Sequence, residues 1–141
     1  MNDRVFVDTN VFIYMQSEKG KQKKELSELA INNLNCITSA QVLSEICNVF
    51  TKKFAVDIDL TKQFIDAVLS TCEVVVIRQE WIKKALDIKK RYGYSYYYSL
   101  VIAAALESGC AYLLSEDLSD GQIIESKLEI INIYLRPDFV S

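Results

Sequence analysis

"RVFVDTNVFIY", residues 4–14, puts a strand, an acid and a helix start into one short stretch. "VFV" is continuously apolar, as a strand buried on both faces should be. Asp8 closes it, which sets the predicted strand at residues 4–8. "DTN" then precedes the apolar "VFIY", so Asp8 could simply cap a short helix. A strand that feeds straight into a helix is the repeating unit of a parallel sheet covered by helices.

The rest of the chain repeats that alternation. Further strands are expected at residues 36–38, 74–77, 112–115 and 130–133. Helical patterns fall at residues 11–16, 21–33, 40–54, 60–71, 80–91 and 96–108. "VVVI" and "YLL" are apolar throughout, again as doubly buried strands should be. Helix starts are signalled by Thr38, with Gln41 three residues on, and by Ser95. Gly109 follows "AAALES", where a C-terminal glycine is expected. The fold class is α/β, with five parallel strands in one domain spanning residues 1–141.

Composition narrows the chemistry. At 141 residues the chain is one domain's worth, and one proline with four glycines leaves no linker or low-complexity tract. There is no histidine. That removes Ser-His-Asp and Cys-His catalysis, imidazole acid–base work and every His-ligated metal site. Any chemistry falls to carboxylates, and clustered carboxylates suit hard cations such as Mg²⁺ or Mn²⁺. Cys36, Cys47, Cys72 and Cys110 are scattered without a C-x-x-C pair, which reads as buried reduced thiols. "MNDRVFVDTN" has no apolar leader, and the longest apolar run, residues 100–106, is far too short to span a bilayer. The expected location is cytoplasmic, with no membrane partner.

The formal net charge of −3 weighs against a polyanionic partner. Local basic clusters run the other way: Lys21, Lys23 and Lys24; Lys52 and Lys53; and Lys83, Lys84, Lys89, Lys90 and Arg91. Each reads equally as a solvated helix face. The last leads directly into the tyrosine-rich "YGYSYYY", residues 92–98.

In open α/β sheets, ligands bind outside the carboxyl ends of the strands. Asp8 ends the first strand and Asp117 follows the fourth by two residues. They share a crevice if those strands are neighbours. Glu45 lies on the edge between the apolar arc and the polar face of "AQVLSEICNVF". Each acid also has a plain reading: Asp8 as a helix cap, Asp117 as a turn residue before Asp120-Gly121, Glu45 as a lysine partner. Three carboxylates in one crevice repel, at about 4 kcal/mol per pair ~4 Å apart with an effective dielectric near 20. A divalent cation between them removes that cost and can activate water.

Five stretches taken together resemble a PIN domain, most of all the VapC-type toxin of toxin–antitoxin pairs. They are "VDTNVFIY", "ITSAQVLSEICNVF", "YGYSYYYSLVIAAALESGC", "YLLSEDLSDGQ" and "IINIY". The resemblance implies a three-layer α/β/α PIN-like domain and a Mg²⁺- or Mn²⁺-dependent endoribonuclease. Its implied partners are RNA, a cognate antitoxin and a second copy of itself. Asp8, Glu45 and Asp117 match three of the family's four metal-ringing acids, as catalytic and metal-binding residues. Thr9, Asn10 and Ser115 match its supporting polar residues.

The fourth acid is missing. Where the family reads like "LSYYDSLIVAAAL", this chain has "YSYYYSLVIAAAL", with Tyr98 in the aspartate position. With Ser95 as cap, Tyr98 is the third helical residue, where an acid is favoured by the capping box and the helix dipole. A phenol, neutral at pH 7, is a poor ligand for Mg²⁺. Three accounts stand open: an inactivating substitution, a natural loss of activity, or compensation by another acid such as Asp120. Two other functions stand beside the nuclease. One is a non-catalytic module that binds RNA or an antitoxin. The other is a phospho-aspartyl enzyme with Asp8 as nucleophile, disfavoured because Asn10 stands where a second Asp usually follows.

Overall fold

The computed structural model describes residues 2–141. The strands are β1 (Arg4–Val7), β2 (Asn35–Ser39), β3 (Glu73–Val75), β4 (Tyr112–Leu114), β5 (Ile123–Ile124) and β6 (Leu128–Ile131). The helices are α1 (Thr9–Met15), α2 (Lys21–Asn33), α3 (Ala40–Asn48), α4 (Ile58–Thr71), α5 (Gln79–Tyr92) and α6 (Tyr96–Glu107). Strand order is β3-β2-β1-β4-β6-β5.

All pairings from β3 across to β6 are parallel. These are the five expected strands. The sixth, β5, pairs antiparallel to β6 through the register Ile123↔Glu129 and Ile124↔Leu128. It is only two residues long, too short for the period-2 pattern that reveals a strand in sequence.

The chain moves from β1 to β2 to β3, then crosses back to β4 on the far side of β1. Right-handed crossovers put α1–α4 over one face and α5–α6 over the other. The packing agrees: α1 lies against α2 and α3, and α5 lies against α6. α6 is the innermost helix. Every residue from Ser99 to Ala105 is buried, and three consecutive alanines let its backbone approach the sheet. α5 buries Trp81, Ala85 and Ile88 and turns Lys83, Lys89 and Lys90 to water, while Lys84 pairs with Glu125 at 2.7 Å.

Helix boundaries show where sequence signals mislead. α3 is capped by Ser39, whose Oγ accepts from the Val42 N–H at 3.2 Å. Thr38, the expected cap, is a strand residue whose hydroxyl donates to the Val7 carbonyl at 2.9 Å. The helix expected over residues 40–54 is α-helical only to Asn48, then continues as a π-helix over Val49–Lys53. Ser95 caps α6 as expected, accepting from the Tyr98 N–H at 3.3 Å. Gly109 ends α6 at φ 73°, in the left-handed region that favours glycine. Cys36, Cys72 and Cys110 are buried free thiols, as expected, whereas Cys47 is only half-buried. Among the described residues no helix is long and apolar enough to cross a membrane.

Candidate functional site

The order in which strands are added reverses between β1 and β4, so a crevice opens there beyond the strand ends. The register Val7↔Leu114 aligns the two exits, and the Asp8 N–H donates to the Leu114 carbonyl at 3.1 Å. Asp8 and Ser115 are therefore side by side. A cleft of about 200 Å³ lies over them, lined by Asp8, Thr9, Asn10, Glu45, Val49, Tyr97, Tyr98 and Asp117. The three acids expected from the sequence line it together.

Asp8 is 2% exposed, and it lines the cleft as well as capping a helix. It caps α1, its Oδ1 accepting from the Thr9 N–H at 2.7 Å. Its Oδ2 accepts from the Ser115 hydroxyl at 2.9 Å. Each oxygen keeps a second lone pair. Burial pushes the carboxyl up from 3.8 to about 6; the two hydrogen bonds pull it down, and the Asp117 and Glu45 charges push it further up. Glu45 reaches the cleft from the half-buried edge of α3, and no ion pair involves it among the described residues.

Asp117 is exposed on the loop after β4. Its Oδ2 accepts from Asn10 Nδ2 at 2.6 Å and from the Tyr98 hydroxyl at 2.8 Å. Asn10 and Ser115 are thus the direct supports of two acids. Thr9 serves through its backbone N–H, while its hydroxyl pairs with the Tyr97 hydroxyl at 2.7 Å. Tyr97 and Tyr98 meet edge to face with centroids 5.3 Å apart. Burial first, and the nearby carboxylates after it, hold both phenols well above their ordinary value, so they are neutral donors at pH 7.

Asp120, the other acid that the sequence offered, does not reach the cleft. Its Oδ1 accepts from the Asn132 N–H at 2.8 Å and from Arg136 Nε at 3.1 Å, and it takes no part in lining the cleft. It is the anchor of the β6 end. The loop turns it away from the cleft.

Sequence reasoning missed Glu116. Its carboxylate takes the Lys23 ammonium at 2.5 Å and the Tyr14 hydroxyl. Lys23 also lies over the Tyr14 ring at 4.8 Å and the Tyr134 ring at 5.4 Å. This clamp ties the Asp117 loop to α1 and α2. On the loop's other side the Tyr94 hydroxyl binds Gln122 and accepts from the Ser119 N–H at 3.4 Å. These contacts join residues far apart in sequence, so only the acid beside Asp117 could have hinted at them.

The donor set suits a hard divalent cation: carboxylates, one of them held up to about 6 by burial and by two like charges that a dication would offset. Among the described residues, however, no three acidic or thiol side chains stand together as a ready coordination shell. The phenol of Tyr98 occupies Asp117 instead.

Among curated proteins no sequence matches this chain. Solved structures resemble it in fold. VapC20 of Mycobacterium tuberculosis, a toxin that cleaves the sarcin–ricin loop, is 15% identical with a TM-score of 0.66, over 80% of this chain and 91% of that one. A chain of a toxin–antitoxin complex from Klebsiella pneumoniae is 18% identical with a TM-score of 0.68, over 91% and 96%. A chain of VapBC2 from Rickettsia felis, bound to a DNA fragment from their promoter, is 16% identical with a TM-score of 0.66, over 92% and 99%. The family model described as the PIN domain matches residues 5–119, which holds β1 through the Asp117 loop and every acid of the cleft, and this chain belongs to that family.

Proposed function

We propose that this chain is a ribonuclease of the VapC toxin kind, cutting RNA phosphodiesters in the cleft over β1 and β4. The observation that carries the reading is the meeting of Asp8, Glu45 and Asp117, from three separate strand–helix units, on one cleft. Asp8, Glu45 and Asp117 would hold a Mg²⁺ or Mn²⁺ ion, directly or through water. Bound there, such an ion would lower the pKa of a water molecule and neutralise charge developing on the phosphate.

The chain's own side chains set that site up. The Thr9 N–H and the Ser115 hydroxyl fix the plane of the Asp8 carboxylate. Asn10 holds Asp117, and the Glu116 clamp fixes the loop that carries it. Tyr98 works against them. Its hydroxyl donates to Asp117 and its ring stands where the family's fourth acid would be, so turnover by this chain is weak or absent. A second copy of the chain and a cognate antitoxin are its proposed protein partners, in the cytoplasm. The similarity in fold to chains of two toxin–antitoxin structures supports the antitoxin.

The Tyr98–Asp117 hydrogen bond also favours a second reading, a PIN fold kept for binding RNA or antitoxin without cleavage. One assay separates the two. Cleavage of RNA is measured with Mn²⁺ and with chelator, for this chain, for Tyr98→Asp and for Tyr98→Asp with Asp8→Asn. The nuclease reading expects Mn²⁺-dependent cutting by Tyr98→Asp, abolished by Asp8→Asn. A folded Tyr98→Asp protein that leaves RNA intact at all Mn²⁺ concentrations refutes it.

A further inference from the structure

Each wall of the cleft leads to an exposed aromatic ring flanked by cations. On one side Val49 lines the cleft and opens the π-helical turn Val49–Lys53. The Val49 carbonyl accepts from the Phe54 N–H at 3.2 Å, so Phe54 stands one turn from the cleft wall. Phe54 is 52% exposed and lies outside the hydrophobic core. Phe50 already fills the inner side of the same turn, packed on Phe64 at 5.0 Å between centroids. The Lys53 ammonium lies over the Phe54 ring at 5.6 Å, and Lys52 is exposed beside it.

The backbone here is unusual twice over. A π-turn adds a residue to the helical repeat and so rotates everything after it, and such turns are frequent at functional sites. Ala55 then takes φ +51°, a conformation that a residue with a Cβ rarely adopts. The π-turn redirects Lys52, Lys53 and Phe54 from where a continued α-helix would place them, and Ala55 then turns the chain away after Phe54.

On the other side Tyr97 and Tyr98 line the cleft, and Tyr96 next to them is 40% exposed. The last turn of α5 brings Lys89, Lys90 and Arg91 to this end, and Lys89 Nζ lies 3.5 Å from the Tyr94 carbonyl. The cleft between the rings is acidic. A polyanion that crosses it must gain its affinity outside, where Lys53 lies over the Phe54 ring and Lys89 stands at the Tyr94 carbonyl, two residues before Tyr96.

We propose that single-stranded RNA crosses the cleft from Phe54 to Tyr96, with one base stacked on each ring and flanking phosphates neutralised by Lys52, Lys53 and Lys89–Arg91. The proposal rests on the reading of the cleft as a ribonuclease site. It names the substrate as unpaired, because stacking needs free base faces and tolerates any sequence. Phe54 and Tyr96 are substrate-positioning residues.

Binding is tested without chemistry, in EDTA, by fluorescence anisotropy of a labelled unstructured RNA of about 12 nucleotides, within the range one such track covers. Phe54→Leu and Tyr96→Leu are each expected to weaken binding roughly 5- to 100-fold, the worth of one stacked base, while Phe54→Trp retains it. Lys53→Gln is expected to lower the slope of log affinity against log salt by about 0.7. The same sequence in a duplex is expected to bind more weakly. Unchanged affinity in Phe54→Leu, equal binding of the duplex, or no binding by the unmodified chain overturns the proposal. So does a change of oligomeric state in Phe54→Leu, read by sedimentation, with RNA affinity intact; that outcome assigns the ring to a protein contact. Cleavage by Tyr98→Asp is scored separately, so a working track on an inert cleft, or the converse, is distinguishable.

Discussion

Asp8→Asn should make this protein more stable at neutral pH while destroying its proposed activity. In the fold the Asp8 carboxyl sits near 6, against an ordinary 3.8. An acid whose pKa is raised by folding favours the folded state when protonated. That stability is fully present below about 3.8, and it is lost as the pH rises through about 6. At roughly 1.36 kcal/mol per pH unit, the charged form costs about 3 kcal/mol at pH 7. Asparagine removes the charge but can accept from only one of the two donors that Asp8 serves, which returns about 1 kcal/mol. The net gain is about 2 kcal/mol, or a rise in Tm of roughly 6 °C for a domain of this size. The assay is denaturant unfolding in EDTA between pH 4 and 8, for the parent and Asp8→Asn. The parent should lose stability across pH 4–6, and the difference between the two proteins should open there and plateau above it. A variant less stable than the parent at pH 7, or a difference flat with pH, refutes the claim that Asp8 carries uncompensated charge.

Mn²⁺ should raise the Tm of Tyr98→Asp more than that of the parent, because ion binding stabilises only the state that holds the ion; thermal scans at increasing Mn²⁺ read this out. In EDTA, Tyr98→Asp should be less stable than the parent, since a fourth carboxylate joins three with nothing between them. Glu116→Gln should cost at most about 1 kcal/mol, because the Lys23 side chain is 42% exposed, yet it should speed amide exchange over residues 116–121 by freeing one side of the loop. Ala104→Leu, at a fully buried position of α6, should cost about 1–3 kcal/mol by overfilling the space between helix and sheet, measured by chemical denaturation.

Much of this molecule is written in local pattern. The inner strands β1 and β4 follow from "VFV" and "YLL", since a strand buried on both faces is apolar throughout; "VVVI" marks a strand but not a doubly buried one, because β3 lies at the sheet edge, is only half-buried, and leaves Val76 74% exposed beyond its end. Asp8 and Asp117 were placed by a rule about strand ends, which needed only the neighbouring of β1 and β4. What escaped had no local mark. "VFTKK" has good helical character, and nothing in it distinguishes a π-turn from the α-helix it extends. Thr38 and Ser39 are both buried at the end of β2; the Thr38 hydroxyl is taken by the Val7 carbonyl, and Ser39 is left to cap α3. Asp120 differs from Asp117 only in which way the loop turns, and that is decided by Arg136 and the Asn132 backbone from later in the chain. The Glu116 clamp joins positions 93 residues apart, beyond the reach of any periodicity.

The acids of the cleft follow β1, β2 and β4, each in a different strand–helix unit. No fragment that ends before residue 117 holds all three, and β4 is framed only once β6 pairs beside it. Because β6 ends at Ile131, a chain emerging from the ribosome lacks a framed constellation until that strand has emerged. The order of synthesis thus sets the order of assembly: a product that stops before β6 carries no framed cleft.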